Sequence, residues 1–103
     1  MKINTKPLPG MMELLPEEQL EFNRIMAIIQ KNYEKFGFTP IDTPVIERTE
    51  TLLAKAGGET EKQIYRFSKG YNDLSLRFDL TVPTARFVAE NFGQLQFPFK
   101  RSQ

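Results

Sequence analysis

Two residues with the chemistry to recognise a charged substrate lie close together in the stretch RFDLTVPTAR. The carboxylate of Asp79 and the hydroxyl of Thr81 are two positions apart, where an apolar strand gives way to a helix. Together they would form a receptor for a primary ammonium group, because a charge-assisted bond holds the cation and a second acceptor fixes its direction. Strand alternation predicts that both side chains share a face with Arg77, opposite Phe78 and Leu80.

The same two residues have a purely structural interpretation. Thr81, or less readily Asp79, can cap the helix that carries Pro83 in its first turn, because a side-chain oxygen at that place accepts a free backbone N–H. The two roles are compatible, since a capping hydroxyl oxygen keeps a second lone pair for a ligand. The residues alone leave both roles open.

Arginine offers a second kind of chemistry. Arg66, Arg77 and Arg86 would suit the bidentate grip of a carboxylate or phosphate if they converged. Because Arg77 shares its strand face with Asp79, an internal ion pair is the simpler expectation for that residue. The glycines at 57–58 are not followed by the Lys-Ser/Thr of a phosphate loop, and we interpret them as a hinge.

The composition excludes several kinds of site. The 103-residue chain has no cysteine and no histidine, so a disulfide framework, a zinc knuckle, a thiol nucleophile and a histidine base are all excluded. Lys and Arg number 14 against 13 acidic residues, a balance that does not favour a nucleic-acid-wrapping or membrane-surface protein. An apolar share of 40% supports a folded core, and no segment approaches about 18 consecutive apolar residues. We therefore expect a soluble, cytoplasmic domain or a piece of one, with no metal site and no membrane partner.

The strongest local pattern is a helix from Pro16 to Phe36. Pro16 suits a first helical turn, and apolar residues recur at spacings of three and four on one face. These residues are Phe22, Ile25, Met26, Ile29, Tyr33 and Phe36. Gly37 is placed to end the helix in a left-handed conformation.

Shorter elements follow this helix. Pro40 and Pro44 cannot donate ladder hydrogen bonds, which predicts an edge strand, or an extended segment, whose free side faces another chain. A short helix is expected from Glu50 to Lys55, and then a hairpin around the turn KGYND, with Leu74, Leu76 and Phe78 alternating on its second strand. The predicted segments are an arm (1–15), a helix and strand (16–48), a mobile loop that includes the short helix (49–62), a hairpin with the loop after it (63–81), and a helix leading to another strand (82–103).

The stretch FGFTPIDTPVIE resembles motif 1 of class II aminoacyl-tRNA synthetases. The matching positions are a glycine, a proline and apolar residues: Gly37, Phe38, Ile41, Pro44, Val45 and Ile46. In that family a long helix precedes the motif, and the motif's strand helps to build a dimer interface. The resemblance thus implies a homodimer formed through Gly37, Phe38, Ile41, Pro44 and Val45.

Three further stretches are similar to one branch of that class, the histidyl-tRNA synthetases. PGMMELLPEE resembles their N-terminal arm, IYRFSKGYNDLSLRFDLTVPTAR their hairpin and following loop, and FPFKRSQ the approach to motif 2. The similarity implies an α/β fold of the α+β type, a class II synthetase-like core in which helices flank an antiparallel sheet. It also implies that the core is truncated before motif 2 is complete.

The resemblance implies a role for Asp79 and Thr81. Asp79, Leu80 and Thr81 occupy positions that resemble the family's histidine-binding loop, where Asp79 and Thr81 would receive the α-ammonium group. Members of the family use ATP and Mg²⁺ to convert histidine to histidyl-adenylate, and then transfer the acyl group to tRNA(His). Because the chain ends at Gln103, before the motif 2 arginine, we expect an N-terminal fragment of a histidine–tRNA ligase. By itself this fragment would have no catalytic residue, no activity and no tightly bound ATP or Mg²⁺. Arg101 lies before the position of the motif 2 arginine and is not expected to take its role.

A different function shares this fold. In histidine biosynthesis, some bacteria use a non-catalytic relative of these synthetases as the regulatory subunit of ATP phosphoribosyltransferase, and that relative can carry a similar loop. The intact DLT sequence at 79–81 favours the ligase. Motif 2 and motif 3 arginines would mark a ligase, and their loss would mark the regulator.

Overall fold

The computed structural model describes residues 1–55 and 58–103, whose Cα positions fall into two units. The first unit comprises residues 1–39 with Ser102, and the second comprises residues 40–101 with Gln103. Of the two glycines interpreted as a hinge, Gly57 lies outside the described residues and Gly58 begins a helix.

The first unit consists of an irregular arm and one long helix. Helix α1 runs from Pro16 to Lys35, so the prediction from the apolar periodicity is confirmed. Its first turn contains Glu17 and Glu18, which complement the partial positive charge at a helix N-terminus. No residue of α1 is buried, and its apolar face is about half exposed, from 40% at Ile29 to 49% at Tyr33. The helix therefore presents a half-exposed apolar stripe.

The C-terminus of α1 is closed by a Schellman motif, as the glycine predicted. Gly37 has a φ of 84°, in the left-handed region. The N–H of Phe38 donates to the carbonyl of Tyr33 at 3.1 Å, and the N–H of Gly37 donates to the carbonyl of Glu34 at 3.1 Å. The rings of Tyr33 and Phe38 lie 5.8 Å apart between centroids, the apolar contact that accompanies this motif. Local hydrogen bonds and one aromatic pair thus decide where the helix ends.

We expect Gly37→Ala to lower the free energy of unfolding of the chain by about 1 kcal/mol, because a Cβ disfavours the left-handed conformation. Urea denaturation followed by circular dichroism would measure the change. Gly93→Ala is a matched control, since Gly93 has no positive φ and no atom within 4 Å of an added Cβ. Equal stabilities of the two variants would contradict the role given to the left-handed residue.

The second unit is built on a three-stranded antiparallel sheet. Strands β2 (Ile46–Arg48), β3 (Arg66–Lys69) and β4 (Asn72–Leu76) lie in the order β2-β4-β3. The predicted hairpin is confirmed, since Lys69 pairs with Asn72 across the turn. β2 lies at the edge of the sheet and begins two residues after Pro44. Two strands of two residues each, β1 (Thr39–Pro40) and β5 (Arg101–Ser102), fall where the two units divide.

Helices of the second unit replace part of the expected loop. Helix α2 spans Thr49–Leu53, rather than Glu50–Lys55, and α3 spans Gly58–Gln63. The expectation of a loop over 49–62 with a single short helix was therefore wrong, because α3 is a polar helix without the apolar periodicity that would predict it. Helix α4 runs from Thr81 to Asn91 and is followed by a 3₁₀ turn, Phe92–Gln94.

Packing in the second unit is centred where α2 meets β4. Leu52 is 1% exposed, and Ser75 is fully buried. The hydroxyl oxygens of Thr49 and Ser75 lie 2.7 Å apart, and the Thr49 hydroxyl donates to Asp73 at 2.8 Å. These bonds satisfy polar groups that would be costly to bury alone. The side chain of Ser75 points to the opposite face of β4 from Leu74 and Leu76, and that face is the buried one.

An ion pair links the two strands of the hairpin. The guanidinium of Arg66 donates to both carboxylate oxygens of Asp73, with 2.9 Å between Nε and Oδ1. These bonds lower the pKa of Asp73 below its ordinary value, and the hydroxyl of Thr49 lowers the same pKa further.

The lowered pKa of Asp73 predicts a loss of stability in acid. A carboxyl group whose pKa is lower in the folded state stabilises the fold above its unfolded pKa of about 3.9, and this contribution disappears as the pH falls through the folded value. We expect an NMR titration of the Asp73 carboxyl carbon to show a midpoint below about 3.9, and Arg66→Gln to raise that midpoint. A midpoint that Arg66→Gln left unchanged would contradict the assignment.

Candidate functional site

A cavity of about 700 Å³ lies in the second unit, between α2, α3 and the first turns of α4. Its wall combines apolar side chains with hydroxyls and two cations. The lining residues are Thr51, Leu52, Ala54, Lys55, Thr60, Phe78, Thr81, Val82, Ala85 and Arg86. Such a mixture of apolar wall and few polar groups is typical of a small-molecule site.

The first turn of α4 is capped by Asp79. Its Oδ1 accepts the N–H of Thr81 at 3.1 Å and the N–H of Val82 at 3.5 Å. The N-cap position is Leu80, which makes no side-chain cap hydrogen bond, so the prediction of Thr81 as the favoured cap was wrong. Asp79 bonds to the start of the helix from one position before the N-cap. The reason is local: an Asp carboxylate readily accepts the backbone N–H two residues ahead. Leu80, between the two, is half-buried, and its carbonyl accepts the N–H of Thr84 at 3.1 Å.

Capping by Asp79 leaves two oxygen acceptors available for a ligand. Within the described residues, Oδ2 of Asp79 and the hydroxyl of Thr81 make no hydrogen bond. Both residues are solvent-exposed; Thr81 lines the cavity, and Asp79 is not part of the cavity wall. The two residues of the proposed ammonium receptor lie in one turn of chain, joined by the bond from the Thr81 N–H to Asp79.

This proximity arises from a turn rather than from a strand. β4 ends at Leu76, so the alternation used to place Asp79 and Thr81 does not extend to them. Phe78, expected on the face opposite Thr81, lines the same cavity as Thr81. The predicted position of Phe78 opposite Thr81 was wrong, although Asp79 and Thr81 lie within one turn of chain.

The three arginines have separate partners and do not form an anion site together. Arg66 pairs with Asp73, and Arg86 pairs with Glu47. Among the described residues, Arg77 forms no ion pair with Asp79, contrary to expectation. Its Nη1 instead donates to the carbonyl of Thr43 at 2.7 Å and to the Thr43 hydroxyl at 3.2 Å.

The pairing of Arg86 with the buried carboxylate of Glu47 was not predicted. The Nε of Arg86 lies 2.9 Å from Oε2 of Glu47, whose side chain is 6% exposed. The two residues are 39 positions apart, so no local pattern relates them. The only signal in the sequence is an acidic residue directly after the apolar pair Val45-Ile46.

The motif 1 positions are divided between the two units. Gly37 and Phe38 belong to the Schellman motif of the first unit, and Ile41, Pro44 and Val45 belong to the second. Val45 is 55% exposed, and its carbonyl accepts the N–H of Arg77 at 2.9 Å.

Comparisons with known proteins agree on one family. A model of the family described as histidyl-tRNA synthetase matches residues 10–100. The histidine–tRNA ligase of Clostridium tetani (strain Massachusetts / E88) is 67% identical over 94 residues, covering 91% of this chain and 21% of that protein. The histidine–tRNA ligase of Clostridium acetobutylicum is 57% identical over 102 residues, covering 99% of this chain and 24% of that protein. The chain thus spans about a fifth to a quarter of the length of these relatives.

Solved structures give the same result. The crystal structure of histidyl-tRNA synthetase from Nostoc sp. PCC 7120 aligns with a TM-score of 0.83 and 39% identity, over 95% of this chain and 23% of that one. The crystal structure of an ATP phosphoribosyltransferase regulatory subunit/histidyl-tRNA synthetase from Bacillus halodurans aligns with a TM-score of 0.77 and 27% identity, over 97% and 27%. The expected mixed α/β fold with an antiparallel sheet is confirmed. With the family model covering most of its length, the chain belongs to the histidyl-tRNA synthetase family.

Proposed function

We propose that this chain is part of a histidine–tRNA ligase, which activates histidine with ATP and transfers it to tRNA(His). The observation that supports this most directly is the pair of available acceptors, Oδ2 of Asp79 and the hydroxyl of Thr81, in the first turn of α4. Histidine carries a primary ammonium group, which a carboxylate and a neighbouring hydroxyl oxygen can bind and orient. The names of the most similar relatives agree with this activity.

Asp79, Leu80 and Thr81 have different roles in this loop. Oδ1 of Asp79 holds the helix start, and its Oδ2 accepts one ammonium hydrogen while Thr81 accepts another. Leu80 lies between them and contributes apolar surface. Binding of this kind orients the amino acid so that its carboxylate, rather than its ammonium group, meets ATP.

ATP and Mg²⁺ are the second substrate and the ion of the proposed reaction. Among residues 1–55 and 58–103, no group of three or more His, Cys, Asp or Glu side chains is arranged to hold a metal ion. We therefore assign no residue of this chain to Mg²⁺, to ATP or to a chemical step. The role proposed for the chain is recognition and orientation of histidine.

Regulation of ATP phosphoribosyltransferase is the second candidate function. It is favoured by the similarity to the Bacillus halodurans protein, whose name combines both activities. The ligase remains the better supported, because relatives at 67% and 57% identity are named histidine–tRNA ligase.

ATP–pyrophosphate exchange on the complete natural protein that contains this chain separates the two functions. Exchange that depends on histidine, and not on a panel of other amino acids, is expected for the ligase. Histidine binding without any exchange would instead support the regulator. A protein that neither binds histidine nor catalyses exchange would contradict both.

We also propose that the complete protein is a homodimer that assembles through motif 1 and works in the cytoplasm, where tRNA is charged. The edge position of β2 and the uncovered apolar face of α1 support assembly, since an unpaired strand edge and an apolar stripe both favour a partner. No helix in the described part of the chain is long and apolar enough to cross a membrane. Light scattering on the complete protein would measure its mass, and a monomer at all concentrations would contradict the dimer.

A further inference from the structure

We propose that Arg77 and Arg86 are positioning residues that fasten the loop carrying Asp79 and Thr81 to one segment, Thr43–Glu47. The two arginines lie on either side of that loop, and each holds a different end of the segment. We call this arrangement the arginine clamp. The inference rests on the proposed histidine site, and the role that it assigns to both arginines is to hold the loop in place.

Arg86 makes the contact on the C-terminal side of the loop, an ion pair with Glu47. Its Nε approaches both carboxylate oxygens of Glu47, at 3.1 Å to Oε1 and 2.9 Å to Oε2. The Glu47 side chain is 6% exposed and that of Arg86 is 32% exposed. A buried carboxylate without a partner is strongly unfavourable, so α4 is held where its arginine reaches Glu47.

Arg77 forms the grip on the N-terminal side. Its guanidinium donates to the carbonyl and the hydroxyl of Thr43, and its backbone N–H donates to the carbonyl of Val45. Thr43 is only 5% exposed, so these bonds are protected from competing water. The chain is therefore fixed at the residue where β4 has just ended and the loop begins.

Fixing both ends determines where the two acceptors lie. Arg77 is two residues before Asp79, and Arg86 is on the same helix as Thr81, little more than one turn further along. Because α4 is a hydrogen-bonded helix, holding Arg86 also sets the position of Thr81 at the cavity wall. Orientation at this precision matters, since a displacement of about 1 Å in a positioning group can cost about 100-fold in rate.

The test uses the complete natural protein and measures binding of histidine and of ATP separately by calorimetry. We expect Arg86→Gln and Glu47→Gln each to raise the Kd for histidine about tenfold, with the Kd for ATP unchanged. The double variant should be no weaker than the worse single one, because both changes break the same contact. Arg86→Lys, which keeps the charge, should recover part of the histidine affinity.

Arg24→Gln is the matched control. Arg24 pairs with Glu21 at 2.6 Å on the exposed face of α1, so the same substitution there removes an ion pair remote from α4 in sequence. Its histidine affinity should equal that of the unmodified protein. A parallel loss of histidine and ATP affinity in Arg86→Gln, or a lowered melting temperature with both affinities unchanged, would show a merely stabilising pair and overturn the clamp.

Hydrogen exchange tests the arginine clamp independently of the proposed histidine site. In the 103-residue chain, the amides of Thr81 and Val82 are bonded to Asp79, and Arg86→Gln should speed their exchange more than Arg24→Gln does. Unchanged exchange at both amides would overturn the clamp. Faster exchange, combined with histidine binding that is insensitive to Asp79→Asn, would support the clamp while contradicting the ammonium receptor.

Discussion

Asp79→Asn is expected to weaken histidine binding by about 10-fold to about 150-fold, because a hydrogen bond to a charged group contributes about 1.5–3 kcal/mol. The substitution removes the negative charge of the side chain and keeps its shape. An Asn Oδ1 still accepts the N–H groups of Thr81 and Val82, so the first turn of α4 keeps its cap. Calorimetric titration of histidine into the complete protein would measure the change.

Two companion variants separate binding from capping. Asp79→Ala should lose the same affinity and also about 1 kcal/mol of stability, because it removes the cap. Thr81→Ala should weaken binding with little effect on the cap, since the structure assigns that role to Asp79.

The control for Asp79→Asn lies on the same helix. Glu90 is exposed near the end of α4, and Glu90→Gln removes one negative charge without altering the loop. Asp79→Asn and Glu90→Gln proteins with the same affinity for histidine would show that Asp79 does not receive the ammonium group.

Leu52→Ala should have the largest effect on stability, a loss of about 2–5 kcal/mol. Leu52 is the largest of the fully buried side chains among the described residues, at 1% exposure, and it lies on α2 where that helix packs on β4. Truncation removes buried methyl groups and enlarges a cavity that Leu52 already lines. Since domains of this size are stable by about 5–15 kcal/mol, one substitution would consume much of the total.

Leu20→Ala provides the comparison for Leu52→Ala. Leu20 is 71% exposed on α1, so the same truncation there should change stability by no more than about 0.5 kcal/mol. Urea denaturation of the 103-residue chain and of both variants would give the difference from the transition midpoints. If Leu52→Ala were as small a change as Leu20→Ala, the packing of α2 on β4 would not hold the second unit together.

Elements defined by near neighbours were predictable from the sequence. The length of α1 followed from apolar residues at spacings of three and four, and its end followed from Gly37, whose hydrogen bonds reach back only to Tyr33 and Glu34. The hairpin followed from alternation in β4 and from the turn before it. The bond between Asp79 and the start of α4 is equally local. It could have been predicted, because a carboxylate readily accepts the backbone N–H two residues ahead.

The polar connections of the second unit depend instead on residues far apart in the chain. Ser75 alternates with Leu74 and Leu76 along β4, yet it is fully buried, and its hydroxyl bonds to that of Thr49 across 26 positions. Arg86 reaches Glu47 across 39 positions, and Arg77 reaches Thr43 across 34. No periodicity relates such pairs, since they form only when strands and helices pack against one another.

From the residues alone, the long helix before motif 1 and the family were predictable, and Asp79 and Thr81 were predicted as an acceptor pair. The folded chain was needed to show that Phe78 and Thr81 share a cavity wall and that Arg77 and Arg86 bond to Thr43 and Glu47. The physical reason is range: backbone hydrogen bonds and turn geometry act over about five residues, whereas burial and ion pairing act across the folded chain, wherever packing brings side chains together.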